Sequence, residues 1–272
     1  MLFLAIDTSC DESCAAVFDT KQWKLLSNIV YSHTDAMEHF GGVVPEVASR
    51  EHVKALPKAV EEACIEADIE LSEIDRFVVT HRPGLIGALL VGVSYTKALA
   101  YALGKPFSVL DHVECHLFSP LLQEVEGKDV PPFPWISLVV SGGHSELYKV
   151  HGPSEFEWLG GTLDDAAGEA FDKVGKLLNI AYPAGPKLDK WVRESASDED
   201  RKKFRFPRAQ TKSFEFSFSG LKTSVLNQTQ KLGSIEEATR LSLAASAQEA
   251  IIDPLVREVR RAMQEHDISN AV

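Results

Sequence analysis

The sequence predicts a duplicated α/β fold, in which strands and helices alternate within two related units. A strand-turn-strand pattern occurs twice, over residues 2–18 and 136–150. In each copy an apolar run ends in a cluster of Asp, Ser, Thr, Gly or His, and a second apolar run follows, which is typical of a buried hairpin. Small residues at both tips favour phosphate binding. We therefore expect one nucleotide to be held between two related domains.

In the first unit the remaining strands are short apolar runs, expected over residues 24–31, 76–80 and 107–110. Apolar residues three to four apart predict an amphipathic helix over residues 45–68. The segment 83–104 is rich in glycine and alanine and apolar on most sides, which predicts a helix packed deep between layers and ended by Gly104.

A helix is expected at residues 112–124, and the proline-rich segment 127–134 is a candidate linker. After the second hairpin, helical periodicity predicts four helices, over residues 166–178, 185–196, 221–232 and 235–266. The last residues, DISNAV, read as the opening of a strand. This order is typical of the actin, sugar-kinase and heat-shock ATPase architecture, with ribonuclease H-like domains at 1–110 and 111–272, the second carrying a helical insert and lacking its end.

Composition limits the classes of function. The 272 residues are 44% hydrophobic and carry a net charge of -12. Apolar stretches are broken by glycine and fall short of the roughly 20 residues that span a bilayer, so no membrane segment is expected. The four cysteines predict reduced thiols in a cytoplasm, although Cys10 and Cys14 are close enough in sequence to pair.

The acidic balance repels nucleic acid over the whole surface, so any RNA contact must be local or assisted. The segment 201–212 carries six basic residues with Phe204 and Phe206 between them. Two interpretations stay open, namely a surface that contacts phosphates and stacks bases, or a solvated loop.

His112 and His116 are four residues apart, directly after a predicted strand. On a helix such residues face the same way, about 6 Å apart, so both imidazoles reach one metal ion. The alternative is a pair of ordinary, partly exposed histidines. The position at the end of a strand, where α/β proteins bind ligands, favours the metal site.

Four further positions are candidates for chemistry. Asp11 and Glu12 lie in the first hairpin tip, where carboxylates orient a nucleophile, hold a metal-bound water or cap the turn. Asp172 lies on a predicted helix and Gly185 begins the next one, whose N–H groups suit ribose or phosphate. The alternative for Asp172 is a surface pair with Lys176. The second tip, residues 141–144, is either a phosphate cradle or a tight turn of type I′ or II′.

Eight segments occur in the order found in one enzyme family: IDTSCDES, GGVVPEVASREH, PGLIGALLVG, HVECH, SLVVSGGHSEL, DDAAGEAFDKVGKLL, YPAGP and FSFSGLKT. The chain thus resembles the bacterial tRNA N6-adenosine threonylcarbamoyltransferases, formerly described as O-sialoglycoprotein endopeptidases, from residue 4 to 272. The resemblance implies an acyltransferase that moves the threonylcarbamoyl group from threonylcarbamoyl-AMP to the exocyclic amine of the adenine next to the anticodon, in tRNAs reading codons that begin with A.

The same resemblance implies roles for individual residues. His112 and His116 become metal ligands, for one iron(2+) per subunit or for zinc or another divalent ion. Asp11 or Glu12 takes the proton from the amine. Asp172, Gly185 and Asp189 contact the ribose and base of the adenylate. The rest of the adenylate lies against the second tip, at Val139, Val140, Ser141, Gly142 and Gly143.

Family members work with a related inactive paralogue subunit and a small ATPase subunit, so we expect both as partners besides tRNA, in the cytoplasm. The chain departs from the family pattern at His81-Arg82, Cys115 and Ala184. Family members also continue past the equivalent of Val272 into a glycine-rich loop and a metal-binding aspartate, so we expect a truncated chain with impaired activity.

Three alternatives remain: a truncated or degenerate scaffold, a small-molecule kinase of the same architecture, and a metalloprotease. The last lacks the HExxH spacing.

Overall fold

The computed structural model describes residues 1–122, 129–209, 211 and 213–272. The chain forms two compact units, Met1–Val130 and Pro131–Val272. The domain boundary predicted after residue 110 lies inside the first unit, so the helix that follows it is grouped with the first sheet.

The first unit contains a five-stranded sheet. Its strands are β1 (Leu2–Asp7), β2 (Glu12–Asp19), β3 (Lys24–Ser32), β4 (Arg76–Arg82) and β5 (Phe107–Asp111), in the order β3-β2-β1-β4-β5. β2 pairs antiparallel with β1 and β3, whereas β4 pairs parallel with β1 and β5. The three parallel strands therefore end at one edge of the sheet, where α/β proteins bind their ligands.

The helices of the first unit are α1 (Thr34–Met37), α2 (Pro45–Glu66), α3 (Ile86–Leu103) and α4 (His112–Phe118). α2 begins with a proline, whose missing N–H costs nothing in the first turn. α3 ends at Gly104 in the left-handed conformation, as predicted. α2 and α3 pack on the sheet, with Leu4, Leu56 and Phe77 fully buried between them. Residues 123–128 of the predicted helix and linker lie outside the described residues.

The expectation that α3 is buried on most sides is wrong. Ile86, Leu90 and Tyr101 are 88%, 65% and 92% exposed, because the sheet and α2 cover only one side of the helix. α3 is also long and apolar enough to cross a membrane, by length and composition only, contrary to the expectation from the sequence. Contacts with β1, β4 and α2 identify its inner side as part of a packed core.

The second unit begins with a three-stranded antiparallel sheet, β6 (Trp135–Val140), β7 (Ser145–Gly152) and β8 (Glu155–Gly161). Ala271, near the end of the chain, forms an isolated parallel bridge to Ile136 of β6. This arrangement repeats the first unit, in which a hairpin and its third strand are joined by a parallel strand beside the first. β8 was missed because its polar and aromatic residues are mostly exposed and resemble a surface loop.

The helices of the second unit are α5 (Ala167–Leu177), α6 (Ala184–Ser195), α7 (Asp198–Lys203), α8 (Ser219–Leu232) and α9 (Glu237–Glu265). Four were predicted, and the six-residue α7 was not. α9 supplies much of the core, with Leu243 and Ile251 fully buried against the other helices. This helical layer confirms the mixed α/β class.

The described residues of the basic segment 201–212 include both side chains that contact α9 and exposed cations such as Lys202 and Arg205. Phe206 is buried in the helical core, so its ring is not available to a base. Arg201 pairs with Glu249 at 3.0 Å and Arg208 with Asp253 at 2.6 Å. Residues 210 and 212 are outside the described part of the chain.

Candidate active site

The site begins at Asp7, where β1 ends. Its Oδ1 accepts a hydrogen bond from the backbone N–H of Ser9 at 2.7 Å. Its Oδ2 accepts from the Thr80 hydroxyl on β4 at 2.7 Å and from Nδ1 of His112 at 3.0 Å. The parallel edge of the sheet thus gathers residues from the ends of β1 and β4 and the start of α4.

These contacts fix both the charge of Asp7 and the tautomer of His112. Burial opposes ionisation, but hydrogen bonds from His112, Thr80 and Ser9 outweigh it and hold the pKa of Asp7 well below its usual range. The bond to Asp7 in turn raises the pKa of His112. Because a carboxylate only accepts, the His112 proton sits on Nδ1, and in the neutral ring Nε2 carries the lone pair.

α4 then brings a second imidazole beside the first. Nε2 of His116 lies 3.0 Å from Nε2 of His112, with the rings edge to face. Asp111 caps the helix by accepting from the N–H groups of Val113 and Glu114, at 2.9 and 3.2 Å. The two nitrogens are close enough to contact one cation together, so the pair would supply two of its ligands. No cluster of three or more His, Cys, Asp or Glu side chains suited to a metal is found in the described ranges.

The tip between β1 and β2 carries the two predicted carboxylates. The carbonyl of Asp11 accepts from the backbone N–H of His33 at 2.9 Å, and Glu12 is the exposed first residue of β2. Partial desolvation, followed by the charges of Asp11 and Asp7, raises the pKa of Glu12. A carboxyl whose pKa moves toward neutrality is a better general base near pH 7 than an ordinary glutamate.

Residues that depart from the expected pattern border this site. Nδ1 of His81 lies 2.9 Å from the carbonyl of Leu110, and Arg82 pairs with Asp111 at 3.2 Å. Both side chains are therefore tied to the end of β5. The cysteines are free thiols, as predicted, and burial raises the pKa of Cys10 to about 12 and of Cys115 to about 11.

The second tip connects β6 and β7. The hydroxyl of Ser141 accepts from the N–H groups of Gly143 and His144 at 3.2 and 3.0 Å. Neither Gly142 nor Gly143 adopts a left-handed backbone, which excludes the type I′ turn. A Cβ added at either glycine would meet no atom within 4 Å. Packing within the chain therefore does not require glycine at these two positions. A ligand that approached the backbone closely would require it.

At the start of this tip, Val139 is buried and Val140 is 44% exposed. Helix α5 begins against the tip. The N–H of Gly168 donates to the carbonyl of Ser141 at 3.2 Å, and the N–H of Ala167 donates to the Ser145 hydroxyl at 2.8 Å. A Cβ on Gly168 would lie 2.7 Å from the Ser141 carbonyl oxygen, so glycine permits this contact.

The structure brings Asp172 and Gly185 together. Oδ1 of Asp172 accepts from the N–H groups of Ala184 and Gly185 at 2.7 and 3.4 Å, and thereby caps α6 from the neighbouring helix. No ion pair of Asp172 with Lys176 is found within the described ranges. Asp189 accepts from Gln248 at 3.1 Å and pairs with Arg193, so both its carboxylate oxygens are engaged.

A family model described as tRNA N6-adenosine threonylcarbamoyltransferase matches residues 24–272. The chain belongs to this family. A family member from Syntrophus aciditrophicus is 45% identical over 273 residues, which span all of this chain and 78% of the relative. Another from Clostridium kluyveri is 47% identical over 263 residues, covering 95% of this chain and 74% of the relative.

Solved structures resemble the chain more distantly. An uncharacterized Pseudomonas aeruginosa protein with similarity to peptidase YeaZ has a TM-score of 0.38 and 15% identity, over 87% of this chain and 95% of that one. A Ppx/GppA phosphatase from Aquifex aeolicus has a TM-score of 0.43 and 10% identity, over 96% and 93%. Such low scores carry no argument about function.

Membership of the threonylcarbamoyltransferase family confirms the actin-like class that the repeated hairpins predicted, and it does not favour the kinase, protease or scaffold alternatives. Sequence reasoning did not predict Asp7, Ser9 and Thr80 beside the histidine pair of the first unit. It also did not predict Gly168 beside the second tip, in the second unit. The sequence signal for Asp7 was its position at the very end of the first apolar run.

Proposed function

We propose that the chain transfers the threonylcarbamoyl group from threonylcarbamoyl-AMP to the exocyclic amine of the adenine next to the anticodon, in tRNAs that read codons beginning with A. Family membership supports the reaction class. The observation that carries the proposal is the pair of Nε2 atoms of His112 and His116, 3.0 Å apart, at the edge of the sheet where Asp7 orients one ring.

His112 and His116 would hold one divalent cation, which we propose to be iron(2+), one per subunit. The donor set fits, because His112 presents Nε2 while Nδ1 is bound to Asp7, the arrangement typical of metal-ligating histidine. When bound, such an ion supplies positive charge that polarises a carbonyl and neutralises a phosphate. Imidazole ligands suit iron and zinc alike.

Glu12 would act as the proton acceptor, with Asp11 beside it. The adenine amine attacks the carbamoyl carbon, the bond from that carbon to the phosphate oxygen breaks, and AMP leaves with the electron pair. The amine loses one proton, which passes to the Glu12 carboxylate. The raised pKa of Glu12 supports this role, because it increases the affinity of the carboxylate for that proton.

The second tip would contact the adenylate through residues 139–143. The open space at Gly142 and Gly143 supports this assignment, because a ligand approaching the backbone there meets no side chain. Asp172 uses Oδ1 for the N–H groups of α6, and we assign Oδ2 to a ribose hydroxyl. Contact of Asp189 with the base would require it to exchange its bond to Gln248 or Arg193.

We further propose three macromolecular partners, namely tRNA, the related inactive paralogue and the small ATPase subunit, in a cytoplasmic setting. The exposed apolar side of α3, with Ile86, Leu90 and Tyr101, is the surface assigned to the paralogue. The net charge of -12 supports assisted rather than independent binding of tRNA. Replacing Leu90 with Asp would then abolish co-purification of the paralogue, whereas unchanged co-purification would exclude this surface.

The test is a transfer assay with a tRNA transcript and threonylcarbamoyl-AMP, in the presence of divalent metal and the two partner subunits, read by mass spectrometry of the digested nucleosides. Wild type forms the modified nucleoside. Glu12→Gln lowers the rate by about 10²–10⁴-fold, and Glu46→Gln, an exposed glutamate on α2, stays close to wild type. No modified nucleoside from wild type would refute the function, and an unaffected Glu12→Gln would refute the base.

A further inference from the structure

Beneath the first tip lies a chain of three buried polar side chains that the proposed reaction does not use. Ser13 is the second residue of β2, His33 follows β3, and His52 lies on α2; they are 0%, 7% and 0% exposed. Three different elements thus bring them together inside the first unit. Burying three polar side chains in one place is costly unless their polar atoms are hydrogen-bonded.

The hydrogen bonds among them have one consistent direction. Nε2 of His52 lies 3.0 Å from the carbonyl of Cys10, which only accepts, so this nitrogen carries the proton. In the neutral ring Nδ1 is then an acceptor, and the Ser13 hydroxyl donates to it at 2.7 Å. The Ser13 oxygen accepts in turn from Nε2 of His33 at 3.0 Å. Both histidines are therefore Nε2–H tautomers.

The far ends of this chain hold the tip itself. His52 binds the carbonyl of Cys10 through its ring, and His33 binds the carbonyl of Asp11 through its backbone N–H at 2.9 Å. These two carbonyls immediately precede Glu12. Fixing them restrains the backbone from which the Asp11 and Glu12 carboxylates project, and placement of a catalytic group within a fraction of an ångström has large effects on rate.

We propose that Ser13, His33 and His52 are positioning residues, which fix the tip for proton transfer through a Ser13 hydroxyl that joins two neutral imidazoles. The inference rests on the proposed role of Glu12. A proton added to Nδ1 of His52 would remove the acceptor of the Ser13 hydroxyl and place a cation in a fully buried position. Ser13 would then only accept from the two rings, and its own proton would be left without an acceptor in this chain of bonds.

The surroundings favour the neutral rings. Burial lowers the pKa of both histidines below 6.5, and for His33 the neighbouring His52 lowers it further. The charges that face the pair are Asp7 from β1, Asp11 from the tip, and Glu51 and Lys54 from α2.

The lowered pKa values of His33 and His52 make the stability of the chain depend on pH. Because the folded-state pKa values lie below the unfolded value, the contribution to stability is complete above about pH 6.5. It is lost as pH falls through the folded-state values. The buried arrangement beneath the tip is therefore less stable on the acid side.

The decisive variant is Ser13→Ala, which removes the hydroxyl between the rings. We expect kcat for transfer to fall about 10-fold to 100-fold, while KM for tRNA and for threonylcarbamoyl-AMP stays within about twofold. The matched control is Ser27→Ala, which removes another buried strand hydroxyl, one bonded to the N–H of Val17. The proposal would be overturned if kcat of Ser13→Ala stayed within about twofold of wild type. It would also be overturned if Ser13→Ala lost no more kcat than Ser27→Ala.

His52→Gln and His52→Ala separate positioning from packing. The glutamine amide retains a donor for the Cys10 carbonyl and does not titrate, so we expect it to restore kcat to within about fivefold of wild type and to move the acid limb of the pH profile to lower pH. His52→Ala remains at the level of Ser13→Ala. Equal losses in the two His52 variants would contradict a positioning role.

Nuclear magnetic resonance of the imidazole nitrogens in the wild-type full chain is independent of activity. It should show His33 and His52 as Nε2–H tautomers that titrate below pH 6.5. A proton on Nδ1 of either ring, or titration at or above 6.5, would overturn the inference even if the variants fail to fold. If wild type transfers nothing, the proposed function fails while this measurement still tests the positioning chain.

Discussion

Asp7→Asn tests how the sheet edge prepares His112 for a metal ion. The Ser9 N–H needs an acceptor, so the amide oxygen of asparagine stays in the place of Oδ1. The amide nitrogen then takes the place of Oδ2 and faces Nδ1 of His112 and the hydroxyl of Thr80. To accept from this donor, His112 moves its proton to Nε2, the atom that would bind the metal.

The size of the effect follows from the hydrogen bonds that the amide cannot make. Removing a carboxylate that orients a metal-binding histidine lowers metal affinity by about 10-fold to 100-fold, or about 1.4–2.7 kcal/mol. The charge-assisted bonds from Ser9 and Thr80 also weaken, which costs about 1–2 kcal/mol of folding stability. The Asp7 side chain is 28% exposed, so water offsets part of this cost.

The assay is competition for Zn²⁺ between the full chain and a fluorescent chelator at pH 7.5, with circular dichroism to confirm folding. Asp111→Asn is the matched control, because Asp111 caps the same helix and acts on His112 only through its charge, without a hydrogen bond to either imidazole. Asparagine is also a good cap, so its metal affinity should stay within about twofold of wild type. An unchanged affinity in Asp7→Asn would refute the orienting role.

Three further predictions concern packing, capping and thiol chemistry. Gly92→Ala should destabilise the chain by about 1–3 kcal/mol, because its Cβ would lie 2.4 Å from the buried hydroxyl of Thr8; thermal unfolding measures this. Asp164→Ala should cost about 1–2 kcal/mol, since Asp164 accepts from the first N–H groups of α8, and it should flatten the fall in stability below about pH 4. Cys14 should react with iodoacetamide at pH 8 at least about tenfold more slowly than in the unfolded chain, because burial and nearby carboxylates raise its pKa to about 12.

Each of these has its control. Gly220→Ala lies early in α8 with open space around it, so alanine there should raise the melting temperature. A stabilised Gly92→Ala would contradict the packing argument, and an Asp164→Ala chain as stable as wild type would contradict the cap. Alkylation of Cys14 in the folded chain as fast as in urea would show that this thiol is not suppressed.

Local patterns sufficed for most of the elements. The central strands of the first sheet are short apolar runs, and α2 and α9 carry the three-to-four spacing of their buried faces. The failures occurred where burial is weak. β8 and α7 expose most of their residues, so hydrophobic periodicity gives no signal for them.

The histidine pair was predictable because helical spacing alone sets two residues four apart on one face. Its orienting carboxylate was not, since Asp7 and His112 are 105 residues apart and meet only when β1, β4 and β5 are aligned in parallel. The Ser13, His33 and His52 chain was missed for the same reason, as three elements contribute one residue each. For α3 the prediction of burial was wrong, because apolar residues on most sides of a helix do not show which side the rest of the fold covers.

The most direct test of the account is the metal dependence of single-turnover transfer from threonylcarbamoyl-AMP to tRNA. Wild type and the double variant His112→Ala/His116→Ala are compared after removal of metal and after addition of Fe²⁺ without oxygen. Metal-free wild type should be slow and recover on addition, while the double variant should not respond. A double variant that transfers at the wild-type rate would contradict the assignment of this histidine pair to the reaction.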